Sequence, residues 1–306
     1  MYRFPARSLA LFNGSMVARI LFWGALALGP AAVQTQSQVA LTFTAVNVPG
    51  ATYTEANAIG GVNGLTEIVG FYIDSTGVDR GFSDLNGTIA TINFPGSTGT
   101  RAYGIDLNNF YIVGWYTDSK RVAHGFELEP SGTFETIDVP GAVWTRALSV
   151  NDDGTIVGAY ADTAGIVHGF LDQDGKGTIT TVDFPQAALT EINGIVNLRY
   201  MSGIFVDSSG VEHGAFGGDG ELTTAVNVPG AGLTAANGVN DAIDVVGYFG
   251  AKANGPFHGF LKQGDQFQTI DFPDAIDTRC NGISDSVEIV GRYTDRKGVV
   301  HGFIAN

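Results

Sequence analysis

Five histidines stand at near-even spacing, His124, His168, His213, His258 and His301, and four aspartates precede four of them by six residues: Asp118, Asp162, Asp207 and Asp295. An imidazole within reach of a carboxylate is the pairing from which general bases and metal sites are built. Here the spacing points to another use. A base is needed once, whereas every histidine occupies the same place in a tandem pattern. The first copy keeps an acid, Asp74, and puts Arg80 where the imidazole belongs, while the copy with His258 has Ala251 near the acid's place. Guanidinium can stand in for imidazole in a structural brace, but it cannot ligate a metal or relay a proton. These positions are therefore expected to form hydrogen-bonded pairs across a hairpin, one pair in each of the five copies that keep the acid.

The elements that hold such pairs follow from the repeat itself. Pro49, Pro95, Pro140, Pro185, Pro229 and Pro273 close apolar stretches at intervals of 44 to 46 residues, and Gly70, Gly114, Gly158, Gly203, Gly247 and Gly291 step by 44 or 45. In the third copy four short β-like segments are expected, at 134–139, 147–151, 155–160 and 167–171, each bounded by turn residues. No helical period is sustained after residue 40. Four strands in about 45 residues match one blade of a β-propeller. The expected fold over 41–306 is thus all-β and six-bladed, with the N-terminal strand at 43–48 completing the blade formed by 279–304.

Recognition is sought where the copies differ. At the start of each innermost strand they read Glu55, Arg101, Arg146, Glu191, Ala235 and Arg279, with Tyr53 and Trp144 close by. These residues are expected to ring the mouth of the central channel. Arginine forks suit carboxylate or sulfate groups and aromatic rings suit sugar faces, so a glycan, an organic acid or a protein ligand is the expected partner. The bland alternative is a set of salt bridges between blades, Glu55 with Arg101 or Arg279, and Glu191 with Arg146.

Other chemistry has thin support. Asp172-Gln173-Asp174-Gly175 and Asn151-Asp152-Asp153-Gly154 resemble fragments of calcium loops, yet the distal bidentate acid is missing and other copies carry plain turn residues there. No cofactor is expected, with calcium the one candidate. Nucleophile elbows, phosphate loops and zinc signatures are absent. Cys280 is the single cysteine, which rules out an intramolecular disulfide.

The recurring residues Ser149-Val150-Asn151, Ile156-Val157-Gly158, Tyr160, Asp162, His168-Gly169-Phe170 and Ile137-Asp138-Val139-Pro140-Gly141 resemble the bacterial extracellular HAF repeat, named for its His-x-Phe signature. The resemblance covers nearly all of 43–306. Departures are Arg80 for histidine, Val196 where Asn or Asp is usual, and the missing acid before His258. The resemblance implies a secreted bacterial protein and supplies no catalytic residues.

Residues 1–40 differ in kind: Arg3, Arg7 and Arg19 with no acid, an apolar run over 20–28, then small residues at Ala31 and Ala32. This reads as a secretory signal, with Met16 as an alternative start. Three of the 16 basic residues and none of the 31 acidic ones lie there, which leaves 13 against 31 and a net charge near −18. Such a surface disfavours nucleic acid and anionic membrane as partners. The function expected is a secreted, monomeric, non-catalytic binding or scaffold module for polysaccharide or cell-surface ligands. The alternative is a propeller hydrolase, lactonase or lyase with its site at the channel mouth, for which Glu55 and Glu191 are the carboxylates to try.

Overall fold

The structure, a computed structural model, describes residues 40–306 except 63, 64, 107, 174, 176 and 198. The expected signal over 1–40, with the start at Met16, falls outside these residues save for Ala40. Within them the chain is all-β, with 24 strands. Each repeat folds as an antiparallel meander in chain order. In one unit the strands run from Trp144 to Val150, Ile156 to Ala161, Val167 to Gln173 and Thr178 to Val182. The innermost strand starts earlier than the sequence suggests, because Trp144, Thr145 and Arg146 pair with Ala161, Tyr160 and Ala159.

Six separate four-stranded blades are expected; the structure instead holds four separate four-stranded sheets and one eight-stranded sheet. The difference has a local cause. One parallel pairing, Tyr53 with Val300, fuses the unit of the first repeat to the unit that begins at Asp277. The closing strand behaves as expected: Phe43–Val46 lies antiparallel to Val300–Ala305, from Phe43 opposite Ala305 to Val46 opposite Gly302. Innermost strands of successive units touch one another, and the one starting at Asp277 touches the one starting at Tyr53.

The repeat markers each solve a packing problem. Every innermost strand carries a β-bulge, and the bulged residues are Asn57, Tyr103, Leu148, Asn193, Asn237 and Asn281. A bulge bends its strand and re-aims a side chain. The carbonyl two residues before it presses onto the second strand, so that a Cβ on Gly158 would lie 2.0 Å from the Arg146 oxygen and one on Gly247 1.9 Å from that of Ala235. Only glycine fits there. The Phe of each His-Gly-Phe (Phe126, Phe170, Phe260 and Phe303), and Phe82 of Arg80-Gly81-Phe82, packs beside this glycine and is fully buried. Four of the six prolines precede a glycine at positive φ, Gly50, Gly96, Gly141 and Gly230, the pairing of a type II turn. A buried threonine secures each turn, as where Val139 N–H donates to Thr145 Oγ1 at 3.0 Å and Phe272 N–H to Thr278 Oγ1 at 3.1 Å.

Candidate functional site

The histidines brace the sheets, and their nearer partner is one that spacing does not single out. His124 Nε2 lies 3.7 Å from Asp118, but its Nδ1 lies 2.9 Å from Asp138; His168 is 3.6 Å from Asp162 and 2.8 Å from Asp183. His213 sits 3.1 Å from Asp207 and 2.9 Å from Asn227, and His301 3.5 Å from Asp295 and 2.8 Å from Asn47. His258, without its hairpin acid, keeps the other contact, 2.9 Å to Asp271. Arg80 pairs with Asp74 at 2.9 Å. The sequence signal for the second partner is an Asn or Asp two residues before every proline: Asn47, Asn93, Asp138, Asp183, Asn227 and Asp271. The hairpin acids also accept backbone N–H groups. The bond from Val122 holds the Asp118 carboxyl below the usual carboxylate range, and the one from Ile166 does the same for Asp162.

The six residues at which the copies differ each occupy the third position of an innermost strand, facing the second strand of the preceding unit. A channel cavity of about 300 Å³ is lined by three of them, Glu55, Arg101 and Arg279, together with Arg292, Tyr248 and asparagines from the bulges. Asparagine amides link neighbouring strands around it: Asn57 donates to Ala102 O at 2.8 Å, Asn237 to Cys280 O at 3.0 Å and Asn281 to Ala56 O at 3.0 Å. Arg146 and Glu191 lie in the seams between units instead. Salt bridges form, but with other partners than expected. Arg101 pairs with Asp79 at 2.6 Å, Glu55 with Arg292 at 3.5 Å, and Arg279 lies 3.4 Å from Asp277. Tyr53 donates a short hydrogen bond to Glu55, and burial with that neighbouring charge pushes the phenol up. Arg146 and Glu191 stay more than 4 Å apart, and burial pushes the Glu191 carboxyl up.

Each of the three ring arginines is stacked. Arg101 lies 4.0 Å over Phe71, Arg146 4.9 Å over Trp115 and 4.6 Å over Trp144, and Arg279 4.7 Å over Tyr248 and 4.1 Å over Phe257. Apart from Trp144, which begins the same innermost strand as Arg146, the aromatic partners come from two further columns of the repeat. One is the residue after the landmark glycine (Phe71, Trp115, Tyr248, Arg292); the other is the residue before the histidine position (Asp79, Glu212, Phe257). Their variation between copies is the sequence signal that marks them.

Two of these columns meet in a cavity of about 360 Å³ whose lining includes Glu212, Tyr248, Phe257, Arg279 and Leu233. Tyr248 donates to Glu212 Oε1 at 3.2 Å, and the Phe257 N–H donates to Asp277 Oδ2 at 3.1 Å. Burial pushes the Glu212 carboxyl up, opposed by the Tyr248 hydrogen bond and the Arg279 charge. The pocket thus offers a carboxylate acceptor, a guanidinium donor and two aromatic faces within one cleft.

At the opposite ends of the inner strands a cavity of about 260 Å³ is lined by Asp152, Asp241 and Asp285 together with the bulge asparagines. Among the described residues no group of three or more His, Cys, Asp or Glu side chains is arranged to hold a metal ion. In the calcium-like fragments, Asp172 accepts the Gly177 N–H at 3.1 Å and Asn151 the Thr155 N–H at 2.9 Å, which is turn chemistry; Asp174 is outside the described residues. Glu127, opposite Glu135 in the sheet, is pushed up to about 7 by burial and then by Glu135, Glu129, Asp172 and Asp106. A carboxyl raised in the folded state contributes stability that is complete below its unfolded pKa and lost as pH rises through the folded value. The Glu127→Gln protein should therefore melt a few degrees higher than wild type at pH 8, about 1 kcal/mol after allowance for solvent screening, with no difference near pH 4.5. Equal melting temperatures at pH 8 would remove the like-charge strain.

The chain matches no protein-family model and no curated protein. Solved structures do match, at the level of fold. The Aleuria aurantia lectin, described as a six-bladed β-propeller with a novel fucose recognition mode, superposes with a TM-score of 0.52 at 12% identity over 83% of this chain and 91% of that one. AofleA from Arthrobotrys oligospora gives 0.53 at 13% identity, covering 87% and 86%. The Trypanosoma rangeli sialidase gives 0.51 at 10% identity, covering 83% of this chain and 55% of that one. The fold is that of a β-propeller, one that carries both a lectin and a sialidase, so function rests on the site.

Proposed function

We propose that this protein is a non-catalytic carbohydrate-binding propeller whose principal site is the seam pocket of Glu212, Tyr248, Phe257 and Arg279. The observation that carries the reading is the conjunction in one cleft of an acid, a guanidinium and aromatic faces. Sugars are bound by that combination, hydroxyls bridging donor and acceptor while a C–H face lies on an aromatic ring. The lectins of like fold support it. Binding is favoured over catalysis because the cavity beside the ring arginines has one carboxylate in its lining, Glu55, already tied to Tyr53 and Arg292, and Asp152 in the adjoining cavity is held by the amides of Asn108 and Asn197. Glycoside hydrolysis commonly uses two.

The same reading takes the eight-stranded sheet as two blades, making a ring of six, because its order is two four-stranded meanders joined at one residue pair. The chain is further proposed to be an extracellular member of the HAF-repeat proteins. The basic and apolar leader and the His-Gly-Phe register support that reading.

Isothermal titration with methyl glycosides of neutral hexoses and fucose tests the site. At least one should bind in the millimolar range or tighter, about −4 kcal/mol or better. EDTA should leave binding unchanged, and Glu212→Gln should weaken it at least tenfold, as expected for loss of a charged hydrogen-bond acceptor. Absence of saturable binding across the panel, or an undiminished Glu212→Gln protein, would end this reading.

A further inference from the structure

The repeat allows one seam to be read against another, and one arginine stands out. In the seam after the first unit, Arg101 lies on Phe71 and its guanidinium is neutralised by Asp79, 2.6 Å away. In the next seam Arg146 takes the place of Arg101 and Trp115 that of Phe71. Ala123 stands at the position of Asp79, immediately before the histidine of the copy. That substitution removes the acid. Arg146 has no carboxylate within 4 Å among the described residues, and its Nε is buried without a hydrogen-bond partner. Arg279 also has an unpartnered Nε but retains Asp277 at 3.4 Å. Trp115 lies 4.9 Å from both Arg101 and Arg146, and of the three ring arginines Arg146 alone has a second indole, Trp144 at 4.6 Å.

We propose that the Arg146 seam is a second binding site, selective for a carboxylate-bearing sugar ring such as a uronate. The ligand's carboxylate occupies the place that Asp79 fills in the preceding seam, accepting hydrogen bonds from the guanidinium. Trp144 offers its face to the sugar ring. Glu191, close enough to feel the Arg146 charge but not paired with it, accepts a ring hydroxyl. This site goes beyond the Glu212 pocket and takes a different ligand: Arg279 there already has Asp277 at 3.4 Å, whereas Arg146 has no carboxylate of its own within 4 Å among the described residues to compete with the ligand's. Either site can fail without the other.

Tryptophan fluorescence separates the two. Of the three tryptophans, Trp115 and Trp144 both touch Arg146 and neither lies in the Glu212 pocket; the third, Trp23, is replaced by Phe in the full chain used. Methyl galacturonoside should change the emission saturably, with methyl galactoside at least tenfold weaker. Arg146→Met should abolish the response. Ala123→Asp, which supplies the missing acid internally, should weaken it at least tenfold in a protein whose melting temperature is not lowered. The inference is overturned by no saturable response to the uronoside, by an equal response to the neutral glycoside, or by full binding in folded Ala123→Asp.

Discussion

Gly247→Ala is expected to be among the most damaging substitutions of a small residue, costing more than about 4 kcal/mol and leaving little folded protein at 37 °C. A Cβ at this position would stand 1.9 Å from the Ala235 carbonyl oxygen and 2.9 Å from the ring of Phe260. The oxygen belongs to the backbone of the innermost strand, fixed there by the bulge that separates the pairs Ala236–Gly247 and Gly238–Val246. Relief requires the bulge to open, which withdraws Asn237 from its hydrogen bond to Cys280 O and loosens the inner ring. Gly220→Ala is the control. It sits at φ +85 with open space around it, so it bears only the left-handed penalty of about 1–2 kcal/mol. Urea melts of the two variants should differ by several kcal/mol. Similar midpoints would show that the inner strand adjusts at little cost and that the bulge is not what fixes the glycine.

That glycine also shows what a sequence of this kind makes visible. Where one physical demand recurs in every unit, the residue type recurs, so Gly247, Pro229 and the His-Gly-Phe triplet mark the strand order and the closing strand by their spacing alone. The fused sheet is not visible in this way, because the parallel Tyr53–Val300 pairing depends on how two units approach each other and not on either residue's type. The hairpin acids declare themselves as partners of the histidines by their constant six-residue offset. Asp138 and Asp183, the closer partners, look like ordinary turn-flanking residues until the outer strand is laid beside the third. At the site, the third-position residues Arg101, Arg146 and Arg279 can be picked out because they break the repeat. Their salt-bridge partners cannot: Asp79 reaches Arg101 from the third strand of the preceding unit, and Asp277 stands two residues before Arg279 on its own strand. Glu191 and Arg146, matched by charge in the sequence, form no ion pair, although the Arg146 charge still acts on the Glu191 carboxyl.

Removal of the closing strand should be still more costly than the glycine change. A chain beginning at Gly50 loses the outer strand that pairs with Val300–Ala305, and with it the two hydrogen bonds between Thr42 and Asn306. Val46 and Val48 are buried at 7% and 8% exposure, and Phe43 packs its ring against Phe272 and Phe303. Burial of two valines alone is worth roughly 3–6 kcal/mol. With the ladder and the phenylalanine added, the loss rivals the whole stability of a typical domain. His301 also loses Asn47, 2.8 Å away, and the Val300–Ala305 strand becomes a free edge able to pair with another chain. The truncated protein should be poorly soluble or associated, with no cooperative melt. A peptide spanning residues 41–49, added in trans, should restore monomers and a melting transition by refilling the edge. Because Thr42 and Asn306 are hydrogen-bonded neighbours, a permuted chain that joins 306 to 41 and opens after Asp274 keeps every strand pair but leaves the ring no interlocking unit. Its equilibrium stability should stay near that of the original while its unfolding rate rises, because the clasp acts on the opening of the ring rather than on any one contact. A truncated chain that melts cooperatively as a monomer would show that the remaining strands close without it.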